Sequence, residues 1–563
     1  MLSGGGSQAD NNYSQFLQAR AMAEFFERNY PPDSVWTFFG AGNVAGATPV
    51  FSDVYREIKR DGTLIDTWLP GALPRNRPAT REEFLPALRR EILPAVADGG
   101  TLYLFIGDHG SRPDGKNAES LIVLWGMRRD ESSEHGWSES DDELLGVTEL
   151  RRVLASGLGR GRVVFCMTQC YAGGFHYLAV PHEMPADSAW FTTLPAWARS
   201  KRPFTSPWAA GFTATDEFSL ASGCDPSPDP DQWAGYERYV PECLLGVNLF
   251  THERTGEVLP SFAAAHSAAM LADRTIDKPR STSEQYLERW AALIEQRLQH
   301  DSHLTARLKA AVALYDRTVN GRTPKLADAD FQDRQALFHR FVEKLAQDDG
   351  AGFLLTGTRA ELEQAMRPES AMSAMVESTI RPKRGTRRLW IRTVRPAWKA
   401  AVEAGTATGI PAGVIPFEKY LLGQEDRGVD YFFGDGGDLQ DDVFWQAGYG
   451  DPQTLDAGRA EAIALWAQER DDRILAWAKA SGNESLRNAA RPLAQYLTDA
   501  EANADSMAPE EKIQMTATAA ERALFYRRVL AAWEFLINVN DRPALAQLRA
   551  LTELERTPLP PTK

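Results

Sequence analysis

Two side chains in this sequence have the chemistry for covalent catalysis and lie in comparable settings. His109 ends the apolar run TLYLFIGDHGS, which starts at Thr101. Cys170 ends a second apolar run, GRVVFCMTQCYAGGF, which starts at Gly161. A thiol is a poor nucleophile until it is deprotonated, and a neighbouring imidazole lowers its pKa. An attacked carbonyl then needs donors for its developing negative charge. Gly110 follows His109 directly, and a glycine lets the backbone approach a substrate closely. The N–H groups of Gly110 and Cys170 are therefore the candidate oxyanion donors. Ala172-Gly173-Gly174 gives Cys170 an open turn without a bulky wall. A thiol and an imidazole at one sheet edge make the equipment of a cysteine hydrolase.

The elements that must position them alternate between helical and strand patterns. Phe16, Leu17, Ala21, Met22, Phe25 and Phe26 fall on one side of a helix over 13–30, which Pro31-Pro32 ends. Strand patterns follow at 35–40, 64–69, 101–107, 120–126, 163–169 and 208–217. Helices are predicted at 51–60, after a capping box at Thr80–Glu83, after Thr148, and at 242–250 and 261–271. Several strands are apolar throughout. That predicts an α/β fold, a mainly parallel sheet covered by helices on both faces. Sites in such sheets form at the carboxyl ends of the strands, where His109 and Cys170 both stand.

At 563 residues the chain predicts two or three domains. After about Lys278 the pattern turns mostly helical, with Leu287, Trp290, Ala291, Ile294 and Leu298 on one stripe behind a capping box at Ser281–Glu284. The division drawn is 1–278 and 279–563, with a hinge in the basic segment 381–395. A net charge of −15 argues against nucleic acid as a partner. No apolar run reaches 18 residues, so no spanning helix is predicted. Four cysteines make no disulfide scaffold, and Cys166-x3-Cys170 has no zinc-binding companion. A Cys224–Cys243 bridge is the one pairing considered, and nothing in the sequence requires it. Asp435, Asp438, Asp441 and Asp442 lack a full calcium-loop pattern and read as a solvated turn. His135, His176 and His182 read as loop residues. No metal or cofactor is called for.

On the His-Gly block, on Gln169-Cys170, and on Asn12-Tyr13 with the helix behind it, the chain resembles the legumain-like (asparaginyl endopeptidase, haemoglobinase) family. That family belongs to the caspase–gingipain clan of cysteine peptidases. The strand 209–215 and GYERYV at 235–240 extend the likeness over about residues 1–275. The resemblance implies a caspase-like sheet, His109 as proton carrier, Cys170 as nucleophile, Gly110 as oxyanion donor, and Asn12 as a residue orienting the histidine. It also implies a protein or peptide substrate, and a helical region that packs on the peptidase domain to inhibit it or recruit substrate.

The pocket positions depart from the family. Ser14 and Gln15 stand where Arg-His is usual, Tyr171 where Glu is usual, and Tyr236 where an acidic residue is usual. Asparagine specificity is therefore not carried over. The same acyl-enzyme resolved by an amine would make a transpeptidase or transamidase. A silent site would leave a binding module. Only Met1-Leu2-Ser3 precede the first glycines, too few for the central first strand of such a fold. That predicts a longer precursor, secreted or periplasmic if a signal was removed upstream, and a cytoplasmic chain otherwise.

Overall fold

The computed structural model describes residues 1–6, 11–43, 49–50, 69–70, 72–112, 119–126, 143–179, 207–223, 233–249, 251–256, 259–299, 301, 303–348, 353–366, 388–426, 457–506 and 510–560. It divides into two compact units. One holds 1–53, 67–366 and 515–563; the other holds 54–66 and 367–514. The helical second half is thus shared between the units rather than split from the sheet after residue 278.

Among the described residues the first unit has twelve strands: β1 (Leu2–Ser3), β2 (Thr37–Phe39), β3 (Pro49–Val50), β4 (Leu69–Pro70), β5 (Asn76–Arg77), β6 (Thr101–Gly107), β7 (Gly110–Ser111), β8 (Leu121–Val123), β9 (Leu144–Gly146), β10 (Arg162–Met167), β11 (Ala209–Thr213) and β12 (Arg280–Ser281). The main sheet has seven strands in the order β12-β11-β10-β6-β1-β2-β5, parallel except for β12. The predicted strand at 120–126 exists as β8, but it pairs antiparallel with β7 and β9 in a separate sheet. The two residues of β1 correct the estimate that Met1–Ser3 are too few for a central strand. Leu2 pairs with Phe38 on one side and Ile106 on the other, and the Ser3 hydroxyl donates to the Gly107 carbonyl.

Strand side chains alternate between two cores, as period-two geometry requires. Phe105, Val164 and Cys166 join one core; Leu104, Ile106, Val163, Phe165 and Met167 join the other. The second core is closed by the helices Arg81–Ala87 and Val147–Gly157. The first is closed by the helices Tyr13–Asn29, Tyr236–Leu244 and Phe262–Ala272. It then continues without a break into the later helices through Trp290, Tyr315, Phe338, Tyr526 and Trp533.

Two predicted caps resolve differently. Ser281 and Glu284 form the capping box. Thr80 makes no side-chain cap, because Glu83 pairs with Arg77 at 3.2 Å and Glu143 accepts from Arg81 N at 2.9 Å instead. The segment 235–240, matched by resemblance to a loop, lies in the helix Tyr236–Leu244 but for Gly235, its cap.

The second unit has its own core around Trp390, Trp398, Phe417, Trp466 and Ile474. At its centre the Glu418 carboxylate is fully buried. It accepts from Trp398 Nε1 (2.8 Å), Trp466 Nε1 (2.8 Å) and Arg470 Nε (2.8 Å) and Nη2 (3.1 Å). A buried ion pair is tolerable only when its remaining lone pairs are satisfied in this way. Of the proposed hinge, 388–395 is helical and 381–387 lies outside the described residues. The aspartates at 435–442 lie outside them too. Among the described residues, no helix is long and apolar enough to cross a membrane.

Candidate functional site

The sheet register brings the two predicted residues together. Ile106 of β6 pairs with Met167 of β10, and Thr168 N donates to Ile106 O at 2.9 Å. His109 and Cys170 each stand three residues beyond that pair, so both leave the sheet at the same level from neighbouring parallel strands. Gly110 closes the gap between them. A Cβ there would collide with the carbonyl of Cys170, so only glycine lets the two strand ends touch.

Cys170 is a reduced thiol, 9% exposed. Its Sγ accepts from Ala221 N at 3.3 Å. Tyr171, the next residue, adopts φ 57° and donates its N–H to Ser219 O at 2.9 Å. Loop 216–223, after β11, therefore forms one wall of the site. Gly173 and Gly174 are small for a different reason than an open turn. A Cβ on Gly173 would strike the Asp216 backbone, and one on Gly174 the Ser120 hydroxyl.

Asp108 fixes the backbone entering His109. Its Oδ1 accepts from Gly5 N and from His109 N, both at 2.8 Å, while Oδ2 is buried without a hydrogen bond. Burial pushes its carboxyl up to about 7, against the opposing pull of the His109 imidazole and the two amides. The sign of the linkage follows. The folded chain holds this proton where the unfolded chain, near 3.8, has lost it. The contribution to stability is therefore full below pH 4 and is lost as pH rises through 7, by on the order of a few kcal/mol. Asp108→Asn keeps an acceptor for both amides and removes the titration. The variant's melting temperature should exceed the wild type's by a margin that grows from pH 4.5 to pH 8. An equal margin at both ends would refute the assignment.

Beneath His109 and Cys170 a buried amide ties the two strand ends. Gln18 Oε1 accepts from Thr168 Oγ1 (2.8 Å), and its Nε2 donates to Gly107 O (3.3 Å) and Glu237 Oε2 (2.9 Å). Trp233 Nε1 donates to Glu237 Oε1 at 2.8 Å. Gln18, Asp108, Glu237 and loop 216–223 were not picked out from sequence. Gln18 had a signal, since Ser14, Gln15 and Gln18 put three polar residues on a buried face of the first helix.

The predicted pocket residues fall into two groups. Ser14 and Gln15 are buried beside the site: Ser14 Oγ donates to Gly223 O at 3.2 Å, and both amide atoms of Gln15 lack a hydrogen bond. Asn12 is the N-cap of the first helix, half-buried, and its side chain does not cap that helix. Tyr236 is not available to a substrate. It is fully buried, its hydroxyl lies 2.8 Å from His266 Nδ1, and it hydrogen-bonds Cys166. Its acidic neighbour, Glu237, is buried against Gln18 and Trp233. His176 is no loop residue either. Its ring nitrogens meet Thr282 Oγ1 (2.9 Å) and Thr213 Oγ1 (3.0 Å) in the core, and burial lowers its pKa. His135, His182 and Cys224 lie outside the described residues, and Cys243 is a free buried thiol.

The wall is braced from behind by the later helices. Lys278 Nζ donates to Ser219 Oγ at 3.0 Å and pairs with Glu521 at 2.6 Å. Arg280 pairs with Asp216 at 3.2 Å and lies 4.2 Å over the Phe525 ring. Among the described residues, no group of three or more His, Cys, Asp or Glu side chains is placed to hold a metal ion. No protein-family model, curated protein or solved structure matches this chain.

Proposed function

We propose that this chain is a cysteine endopeptidase with a caspase-like catalytic sheet, of the legumain-like kind. The observation that carries the reading is the register of β6 and β10, which sets His109 and Cys170 at equal distance beyond one residue pair. In the mechanism, His109 takes the thiol proton and the Cys170 sulfur attacks the peptide carbonyl carbon. The oxyanion is held by the N–H groups of Gly110 and Cys170. The tetrahedral adduct collapses to a thioester, and His109 passes its proton to the leaving amine. Water, deprotonated by the same imidazole, then releases the carboxylic acid and restores the thiol. The substrate is a protein or peptide, and the departures at Ser14, Gln15 and Tyr171 point away from an asparagine pocket.

The test couples labelling to turnover. Cys166 and Cys243 are both pushed up to about 12 by burial, so they are poor thiolates at neutral pH. Iodoacetamide at pH 7.5 should alkylate Cys170 before either of them, and peptide-library hydrolysis should fall in proportion to the Cys170 label. Hydrolysis that survives full Cys170 alkylation would remove the reading.

A further inference from the structure

The wall beside Cys170 carries an alternating pattern. Along Glu217-Phe218-Ser219-Leu220-Ala221, less exposed side chains alternate with exposed ones. The Ser219 hydroxyl meets Lys278, and Ala221 is buried with its N–H on the Cys170 sulfur. Phe218 and Leu220 face the other way. They are 65% and 55% exposed, the two most exposed large apolar side chains among the described residues. The backbone bends at 217–219, where Phe218 N donates to Asp216 Oδ1 at 2.8 Å, and the strip forms a ledge running past the candidate nucleophile. The Arg112 guanidinium, three residues beyond His109, lies 4.3 Å over the Phe218 ring and borders the ledge from the histidine side. An exposed Leu alone needs no explanation. Two adjacent large ones on the strip that touches the candidate nucleophile are a different matter, since apolar surface held open at a site is surface a ligand can bury.

We propose that Phe218 and Leu220 form a substrate subsite: a peptide lies extended along 217–221 and buries an apolar side chain of leucine or phenylalanine size against them, with its carbonyl at Cys170. The inference rests on the hydrolase reading above. It assigns selectivity to an apolar residue flanking the scissile bond, not to a carboxamide or a charge.

The experiment maps cut sites in a proteome-derived peptide library by mass spectrometry, using the full chain. The variants are the Phe218→Ser, Leu220→Ser double and Cys170→Ala. Both replaced side chains are exposed, so the double variant keeps the fold. Wild-type cut sites should be enriched in Leu, Ile, Phe or Met at one fixed position near the cut, and the double variant should lose that enrichment. For a matched fluorogenic peptide, kcat/KM should fall about 10- to 100-fold in the double variant, with little change for the analogue carrying serine at that position. Cleavage by the wild type without apolar enrichment, or enrichment that survives in the double variant, overturns the subsite and leaves the hydrolase standing. A library that the wild type leaves uncut overturns the hydrolase and the subsite together.

Discussion

Cys170→Ala protein should keep its fold and lose hydrolysis, with kcat/KM falling about 10⁴-fold or more, as when a covalent nucleophile is removed. Its melting temperature should move by only about 2–4 °C, because one sulfur atom at the edge of the core is lost. His109→Ala should lower turnover comparably, since the thiol then keeps its proton and the leaving amine receives none. Cys166→Ala should do the reverse. Cys166 lies four residues away on β10, 1% exposed, and its thiol is pushed up to about 12 by burial. Its removal should cost about 1–2 kcal/mol of stability while leaving turnover within about twofold. The measurement is kcat/KM on one fluorogenic peptide, with thermal melts of all three variants. Retained turnover in Cys170→Ala would place the nucleophile elsewhere.

That contrast is also where the sequence was most legible. Both cysteines lie in one apolar run, and only the run's end distinguishes them. Arg162 to Met167 are strand, and Gln169-Cys170 lie beyond it. The period-two pattern told which residues would be inside the sheet, and the ends of the runs told which would emerge at its edge. The equal offset from Ile106 and Met167 needed the register, which depends on pairing between segments some sixty residues apart. What stayed hidden was set by tertiary packing. Tyr236 and Glu237 are adjacent in sequence, and the helix that holds them turns one towards His266 and the other towards Gln18. A loop reading of 235–240 carries no periodicity and could not say which way each side chain turns, whereas a helix turns neighbours by about 100°. β1 was missed for another reason. Two residues make a sound strand when both edges are already formed by β2 and β6, and length alone does not reveal that.

The boundary after residue 278 carries the second large effect. A fragment of residues 1–278 should be insoluble or unfolded, because the first core does not end there. Trp290, Tyr315, Phe338, Tyr526 and Trp533 lie in one cluster with Phe105, Val164 and Phe212 of the sheet. Each large apolar side chain withdrawn from such a core forfeits about 1.5–3 kcal/mol, and a whole domain is held by only about 5–15 kcal/mol. Five such losses come to about 7.5–15 kcal/mol, the size of that whole margin, before polar contacts are counted. Those contacts break as well: Tyr103 Oη donates to Pro558 O at 2.8 Å, and Arg522 Nη2 donates to Met270 O at 3.1 Å. The site itself leans on the same helices, through Glu521 to Lys278 and Ser219 and through Phe525 to Arg280 and Asp216. In the intact chain, Glu521→Ala should therefore lower kcat/KM about tenfold, the weight of one half-buried pair that positions a loop. The same substitution should leave iodoacetamide labelling of Cys170 detectable. These helices brace the wall beside Cys170, so trimming them should not raise turnover. Size-exclusion chromatography and circular dichroism of the 1–278 fragment, beside turnover of Glu521→Ala, check both parts. A soluble, folded fragment with wild-type turnover would mean that the sheet stands alone and that the later helices only cover it.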